Sequence, residues 1–170
     1  MKRIAIGCDH IVTDIKNEVR DWLICKSYDV VDFGTYDKER THFPIFGKRV
    51  GEAVANGEFD FGVIMCGTGV GITNSANKVK GARCILARDI HTAKIAREKY
   101  DANIIGVGGR ITGIGLMENI IEDFLNTKFN DSEENKITRD FINGLISKDA
   151  NKGEIFEDER KKWKEGYYHD

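Results

Sequence analysis

The sequence predicts an α/β fold, a three-layer α/β/α domain on a five-stranded parallel sheet with an added helical extension at the C-terminus. Two observations lead there: short apolar runs recur along the chain, and the segments between them keep helical periodicity. A third is length, since 170 residues suit one core that buries roughly 70% of the surface exposed by the unfolded chain.

In chain order the runs are RIAIG, DVVDFG, FDFGVIM, ARCILA and ANIIGVGG, each read as a strand. After the first, Val12, Ile15, Val19, Trp22 and Leu23 recur at helical spacing; after the fifth, Leu116, Ile120 and Phe124 do so with Met117, Ile121 and Leu125 beside them. Right-handed crossovers then place helices on both sheet faces, a Rossmann-like arrangement whose ligand site lies beyond the carboxyl ends of the strands. Past Phe129 the composition changes. Ile137, Phe141 and Leu145, with Ile142 and Ile146, mark one more amphipathic helix, and the charged end holds Phe156, Trp163, Tyr167 and Tyr168. Residues 1–130 therefore read as the α/β domain and 131–170 as a helix and arm, the arm being either a solvated tail or a subunit contact.

Lys plus Arg number 26 against 28 Asp plus Glu, a formal charge of −2, so no basic surplus points to nucleic acid. No run approaches the roughly 20 apolar residues of a membrane helix, and the N-terminus lacks a signal-peptide pattern, so a cytoplasmic protein is expected. Four cysteines lack CxxC spacing. Cys25 and Cys84 read as buried small hydrophobes, whereas Cys8 and Cys66 each close an apolar strand and precede a loop.

The loop rule selects Asp9 and His10 after strand one, Gly34–Phe46 after strand two, CGTGVG (Cys66–Gly71) after strand three, Arg88–His91 after strand four and Gly108–Arg110 after strand five. Gly67, Gly69 and Gly71 let several N–H groups converge, a nest that favours negative charge and lowers the pKa of an adjacent thiol. Nucleotide-binding spacings fail, because no glycine closes a G-x-G-x-x-G and no GK[ST] follows. A cysteine phosphatase would need arginine where Ile72 stands. A thiolate beside dense backbone donors suits proton abstraction next to a carbonyl, with the donors holding an enediolate oxygen. Asp9 and His10 are placed to serve sugar hydroxyls, although a lone histidine after a strand also has a structural reading. Arg40 is a candidate phosphate contact, while Arg88 and Arg110 read as solvent or subunit contacts. His42 and His91 read as surface residues, and no metal-ligand spacing is present, so no metal site is expected.

IAIGCDH, VVDFGTY, ERTHFP, CGTGVG with Asn77 and Lys78, the Arg97-Glu98 to Ala102-Asn103 stretch and GVGGRITG together resemble the ribose-5-phosphate isomerase B and galactose-6-phosphate isomerase family, from Lys2 to about Phe129. The continuation DHIVTDIK, ERTHFPIFG and the end EGYYHD are most similar to its galactose 6-phosphate branch. The resemblance implies a sugar phosphate substrate and cofactor-free isomerisation. It makes Cys66 the base and Gly67, Thr68, Gly69, Val70 and Gly71 the anion-stabilising loop, with Thr68 grouped beside Cys66 as catalytic. Asp9 and His10 are implied near the sugar ring oxygen, and Asn103 is grouped with the substrate contacts.

Two departures stand out. Lys99 and Tyr100 occupy the place of a histidine-asparagine pair, and KFNDSEEN replaces a phosphate-binding, arginine-rich segment. Active sites of the family lie between subunits, so the resemblance implies a homologous A subunit that supplies the histidine and arginines. A noncatalytic sugar-phosphate-binding or regulatory subunit and a homomeric ribose-5-phosphate isomerase are the alternative readings.

Overall fold

The chain alternates strand and helix from its first residues: β1 (Arg3–Cys8), a 3-10 turn (His10–Val12), α1 (Thr13–Cys25), β2 (Asp29–Asp32), α2 (Phe43–Ala55), β3 (Phe61–Cys66), α3 (Val70–Ala76), β4 (Cys84–Leu86), α4 (Ile90–Tyr100), β5 (Ile104–Gly108), α5 (Ile114–Asn126) and α6 (Glu133–Gly144). The structure, a computed structural model, describes residues 1–146 together with Lys161 and Glu165. The aromatic arm with Phe156, Trp163, Tyr167 and Tyr168 lies outside the described residues.

All five strands pair in parallel, in the order β2-β1-β3-β5-β4. The pleat sends alternate side chains to opposite faces, which is why the three central strands read as unbroken apolar runs. Ile4, Ile6, Cys8, Val63, Met65, Ile105 and Val107 meet Val19 and Leu23 of α1, Ala93 and Ala96 of α4, and Met117, Ile120, Ile121 and Phe124 of α5. On the other face Ala5, Ile64, Cys66 and Ile104 meet Phe46, Val50 and Val54 of α2 and Ile72 and Ala76 of α3. Each fully buried aliphatic side chain contributes about 1.5–3 kcal/mol. Gly106 belongs to this second face, where a Cβ would lie 1.9 Å from Thr73 Oγ1; its missing side chain lets α3 lie on the strands.

Local chemistry sets the helix ends. Asp89 caps α4 by accepting from Thr92 N at 2.7 Å, and Ser132 caps α6 by accepting from Asn135 N at 3.3 Å. Asp101 ends α4 at φ 50°, and its carboxylate takes Arg97 Nη1 at 2.8 Å and Arg83 Nη2 at 3.0 Å. Arg97 stacks 4.8 Å from the Phe61 ring, so this guanidinium is buried against both charge and an aromatic face. α6 leans on α4 through Arg139, and none of its residues is buried. Among the described residues no helix is long and apolar enough to cross a membrane.

One core assignment from the sequence needs correction. Cys25 is exposed, because it is the last residue of α1, where the helix has run past the sheet. Cys84 is buried as expected, and burial pushes its thiol up to about 12.

Candidate active site

The strand order reverses direction at β1 and β3: the chain leaves β1 toward β2 on one side and leaves β3 toward β5 and β4 on the other. The helix after β1 packs on one face and the helix after β3 on the opposite face, which opens a crevice above the carboxyl ends of these two strands. Cys8 lies opposite Met65 in the register, and Asp9 N donates to Met65 O at 3.3 Å. The two loops chosen from the sequence, Asp9-His10 and Cys66–Gly71, are therefore neighbours.

Cys66 is 5% exposed, the last residue of β3, and its carbonyl accepts from Gly109 N at 2.9 Å. The next carbonyl, of Gly67, accepts from Arg110 N at 3.0 Å, so β5 and its loop hold the chain in place as it leaves the sheet. Gly69 stands at φ 78°, the left-handed region, and a Cβ there would lie 2.6 Å from Leu86 Cδ1 and 2.8 Å from Val107 C. Thr68 is exposed, and its Oγ1 accepts from Val70 N at 3.4 Å. Among the described residues no acceptor meets the N–H groups of Gly67, Thr68 and Gly69. Three free backbone donors beside a thiol make a local positive potential suited to an oxyanion. Phe43, the first residue of α2, lays its ring against Gly71, where a Cβ would be 2.7 Å from Cε2; Ile11 Cδ1 similarly covers Gly67.

Asp9 is 5% exposed and caps the 3-10 turn, its Oδ1 accepting from Ile11 N at 3.3 Å. Burial holds its carboxyl above the ordinary carboxylate range, opposed by the Ile11 hydrogen bond and by the Arg110 charge. Arg110 thus acts electrostatically on Asp9 and runs along Gly67, a place in the site that the sequence reading left to solvent or subunit contact. Its position directly after strand five was the available signal. His10 Nδ1 accepts from Thr41 N at 3.3 Å, which ties the turn after β1 to the segment after β2. Arg40, next to Thr41, is exposed and makes no side-chain hydrogen bond or ion pair within the described residues. Val70 is 42% exposed at the first position of α3. The Cys8 thiol is pushed up to about 12 by burial and points to the face opposite Cys66, so of the two strand-closing cysteines it is the structural one.

Asn103 does not join this site. It precedes β5 at the amino end of the sheet, where its Oδ1 accepts from Arg83 N at 2.8 Å and its Nδ2 donates to Gly81 O at 2.9 Å. Its amide is consumed in joining the β4 and β5 entrances, and the sheet separates it from Cys66.

The two departures noted in the sequence meet in space. Lys99 and Tyr100, at the end of α4, share a polar cleft of about 310 Å³ with Glu98, Asn130, Ser132 and Glu134. Asn130 N donates to Glu98 O at 2.9 Å, fastening the second segment beside the first. Carboxylates line this cleft beside a single lysine, an arrangement that repels a phosphate. A roomier cavity of about 380 Å³ between α6 and β4 contains none of the candidate residues.

Comparison with known proteins agrees with this architecture. The family model for ribose/galactose isomerases matches residues 4–140. Galactose-6-phosphate isomerase subunit LacB of Clostridium acetobutylicum is 55% identical over 168 residues, covering 97% of each chain. Ribose-5-phosphate isomerase B of Escherichia coli is 38% identical over 129 residues, 76% of this chain and 87% of the relative. The solved structure of Clostridium thermocellum ribose-5-phosphate isomerase B superimposes with a TM-score of 0.82 at 38% identity, covering 84% of this chain and 96% of that one.

Proposed function

The chain belongs to the ribose/galactose isomerase family, and from that premise we propose that it is the cysteine-bearing subunit of a heteromeric isomerase interconverting D-galactose 6-phosphate and D-tagatose 6-phosphate. The observation that carries the subunit reading is the likeness over nearly the whole chain to a LacB subunit. It is reinforced by an intact cysteine loop in a chain whose Lys99–Tyr100 and 128–135 segments form a carboxylate-lined cleft.

In the open-chain aldose, Cys66 as thiolate takes the proton from C2. The C2–H bonding pair becomes the C1–C2 double bond of an enediolate, and the carbonyl pair moves onto O1. Negative charge develops on that oxygen, where the free N–H groups of the Gly67–Gly69 loop stabilise it; Thr68 adds a hydroxyl and Val70 and Gly71 shape the loop's far end. The thiol returns its proton to C1, while the hydroxyl proton on O2 passes to O1, giving the ketose. Asp9 and His10 bind hydroxyls near the ring oxygen, and Arg40 meets the phosphate. A homologous A subunit supplies the histidine that opens the ring and the remaining arginines. The setting is lactose and galactose breakdown in the cytoplasm.

Mixing the chain with its A-type homologue and following tagatose 6-phosphate tests the reading. Turnover by the mixture, and little by either chain alone, is the expected result. An inactive but associated mixture would favour a noncatalytic binding subunit. Substantial activity of this chain alone on ribose 5-phosphate, the substrate named for the 38% identical relative, would favour the homomeric reading.

A further inference from the structure

Lys16 is wholly buried, although the sequence places it between Ile15 and Asn17 with nothing to distinguish it from a surface lysine. Its ammonium pairs with the Asp32 carboxylate at the end of β2, donates to Thr35 O at 2.8 Å, and stands 5.3 Å from the Tyr36 ring. Its partners thus belong to the last residue of β2 and the start of the segment Phe33–His42 that follows it. Asp32 Oδ1 in turn accepts from Gly34 N at 2.8 Å, and the Tyr36 hydroxyl donates to Asp32 O at 2.9 Å.

From this anchor the segment is stitched across the top of β1 and α1. Cys8 N donates to Gly34 O at 2.7 Å, Thr35 N to Cys8 O at 3.0 Å, and Thr13 Oγ1 to Asp37 O at 2.7 Å. Lys38 pairs with Asp14 at 2.7 Å, and the last contact is Thr41 N to His10 Nδ1. An imidazole nitrogen that accepts a hydrogen bond carries no hydrogen, so in the neutral ring this contact leaves the hydrogen on Nε2. His10 thereby becomes a donor at its free edge.

We propose that Lys16 is a positioning residue: through Asp32 and Thr35 it fixes the segment Phe33–His42, so that Thr41 holds His10 with its hydrogen on Nε2 and the same segment sets where Arg40 stands. A buried ammonium is retained here because an apolar side chain would leave Thr35 O without its donor and the partly buried Asp32 Oδ2 with only the longer contact to Arg20 Nη1 at 3.3 Å. The catalytic consequence rests on the reading of the chain as an isomerase subunit, whereas the His10 tautomer does not.

The test is Lys16→Met in the full chain, read two ways. Two-bond proton–nitrogen NMR of the imidazoles, with His10 assigned by its loss in His10→Gln, should show a single Nε2–H tautomer in the parent and tautomer mixing in Lys16→Met. Isomerisation of the sugar phosphate with the A-type homologue should fall by about tenfold or more in kcat/KM, the effect of displacing a substrate contact. Asp32→Asn, which weakens the anchor and leaves the contacts of Thr13 and Thr41 with His10 in place, should shift both readouts the same way by a smaller factor, and it decides the matter if Lys16→Met does not fold. An unchanged His10 signature with kcat/KM within twofold in the folded variants overturns the proposal. If the mixture of parent chains does not turn over at all, the isomerase reading fails while the NMR arm still decides the role of Lys16.

Discussion

Replacing Gly69 by alanine perturbs the site at the one loop residue where two separate effects meet. The backbone stands at φ 78°, which costs an L-residue with a Cβ roughly 1–2 kcal/mol. The added methyl would also press on Leu86 Cδ1 at 2.6 Å and on the Val107 carbonyl carbon and oxygen at 2.8 and 2.9 Å, and backbone atoms of a central strand yield poorly. Overpacking of this kind costs about 1–3 kcal/mol, for a total of about 2–5 kcal/mol. In a chain of this size that lowers the melting temperature by about 4–20 °C. Gly57→Ala is the internal control: its φ is 76°, nothing lies within 4 Å of the new Cβ, and it carries the dihedral cost alone. Thermal melts of both variants by circular dichroism, with turnover measured beside the A-type homologue, separate the two effects. Gly69→Ala should melt below Gly57→Ala and lose most activity, because the loop shifts away from β5 and its three free N–H groups lose their common aim. Equal melting temperatures, with Gly69→Ala retaining turnover within twofold, would refute the reasoning.

Other outcomes follow from the same geometry. Asp9 has a folded-state pKa above its unfolded value, so its ionisation opposes folding: the penalty is absent where both states are protonated, builds as pH rises through the unfolded value near about 4, and is complete above the folded value. Asp9→Asn should therefore melt above the parent at neutral pH, with the gap closing in acid, while activity drops; a pH series of melts checks the sign. Asn103→Ala should lose about 1–2 kcal/mol of stability with its two hydrogen bonds, yet keep kcat and KM within twofold, since it stands at the far end of the sheet. Arg40→Ala should leave the melt unchanged and raise KM about tenfold or more, the loss of a charged hydrogen bond to phosphate.

Much of the fold was legible because a parallel sheet covered on both faces writes itself as short apolar runs. RIAIG, FDFGVIM and ANIIGVGG became the three central strands, and the loops at their carboxyl ends include the residues that meet in the crevice. DVVDFG was less faithful: β2 ends at Asp32, although Phe33 N and Gly34 O still bond Ile6 O and Cys8 N of β1 as the segment across β1 begins. What sequence spacing could not reveal was pairing at a distance. Lys16 is indistinguishable from a solvated helix residue until Asp32 closes over it, and Cys25 shares an apolar period with residues that the sheet covers although its own helix end is bare. Asn103 was misplaced for a different reason. It belongs to a recognisable stretch, but that stretch enters β5 rather than leaving it, and only the direction of the strand tells which end of the sheet a residue serves. The amphipathic pattern of α6 was legible as a helix, yet its apolar face, with Ile137 at 61% and Ile142 at 42% exposure, is not part of the core of this chain.

The central claim is that Cys66 moves the proton. Cys66→Ala, combined with the A-type homologue and given galactose 6-phosphate in deuterated water, measures this directly by mass and proton NMR of the recovered sugar. The account predicts a folded, associated variant whose isomerisation and whose incorporation of solvent deuterium both fall at least about 100-fold, the share of the rate that a positioned general base supplies. A folded, associated Cys66→Ala that still isomerises within tenfold of the parent would contradict it.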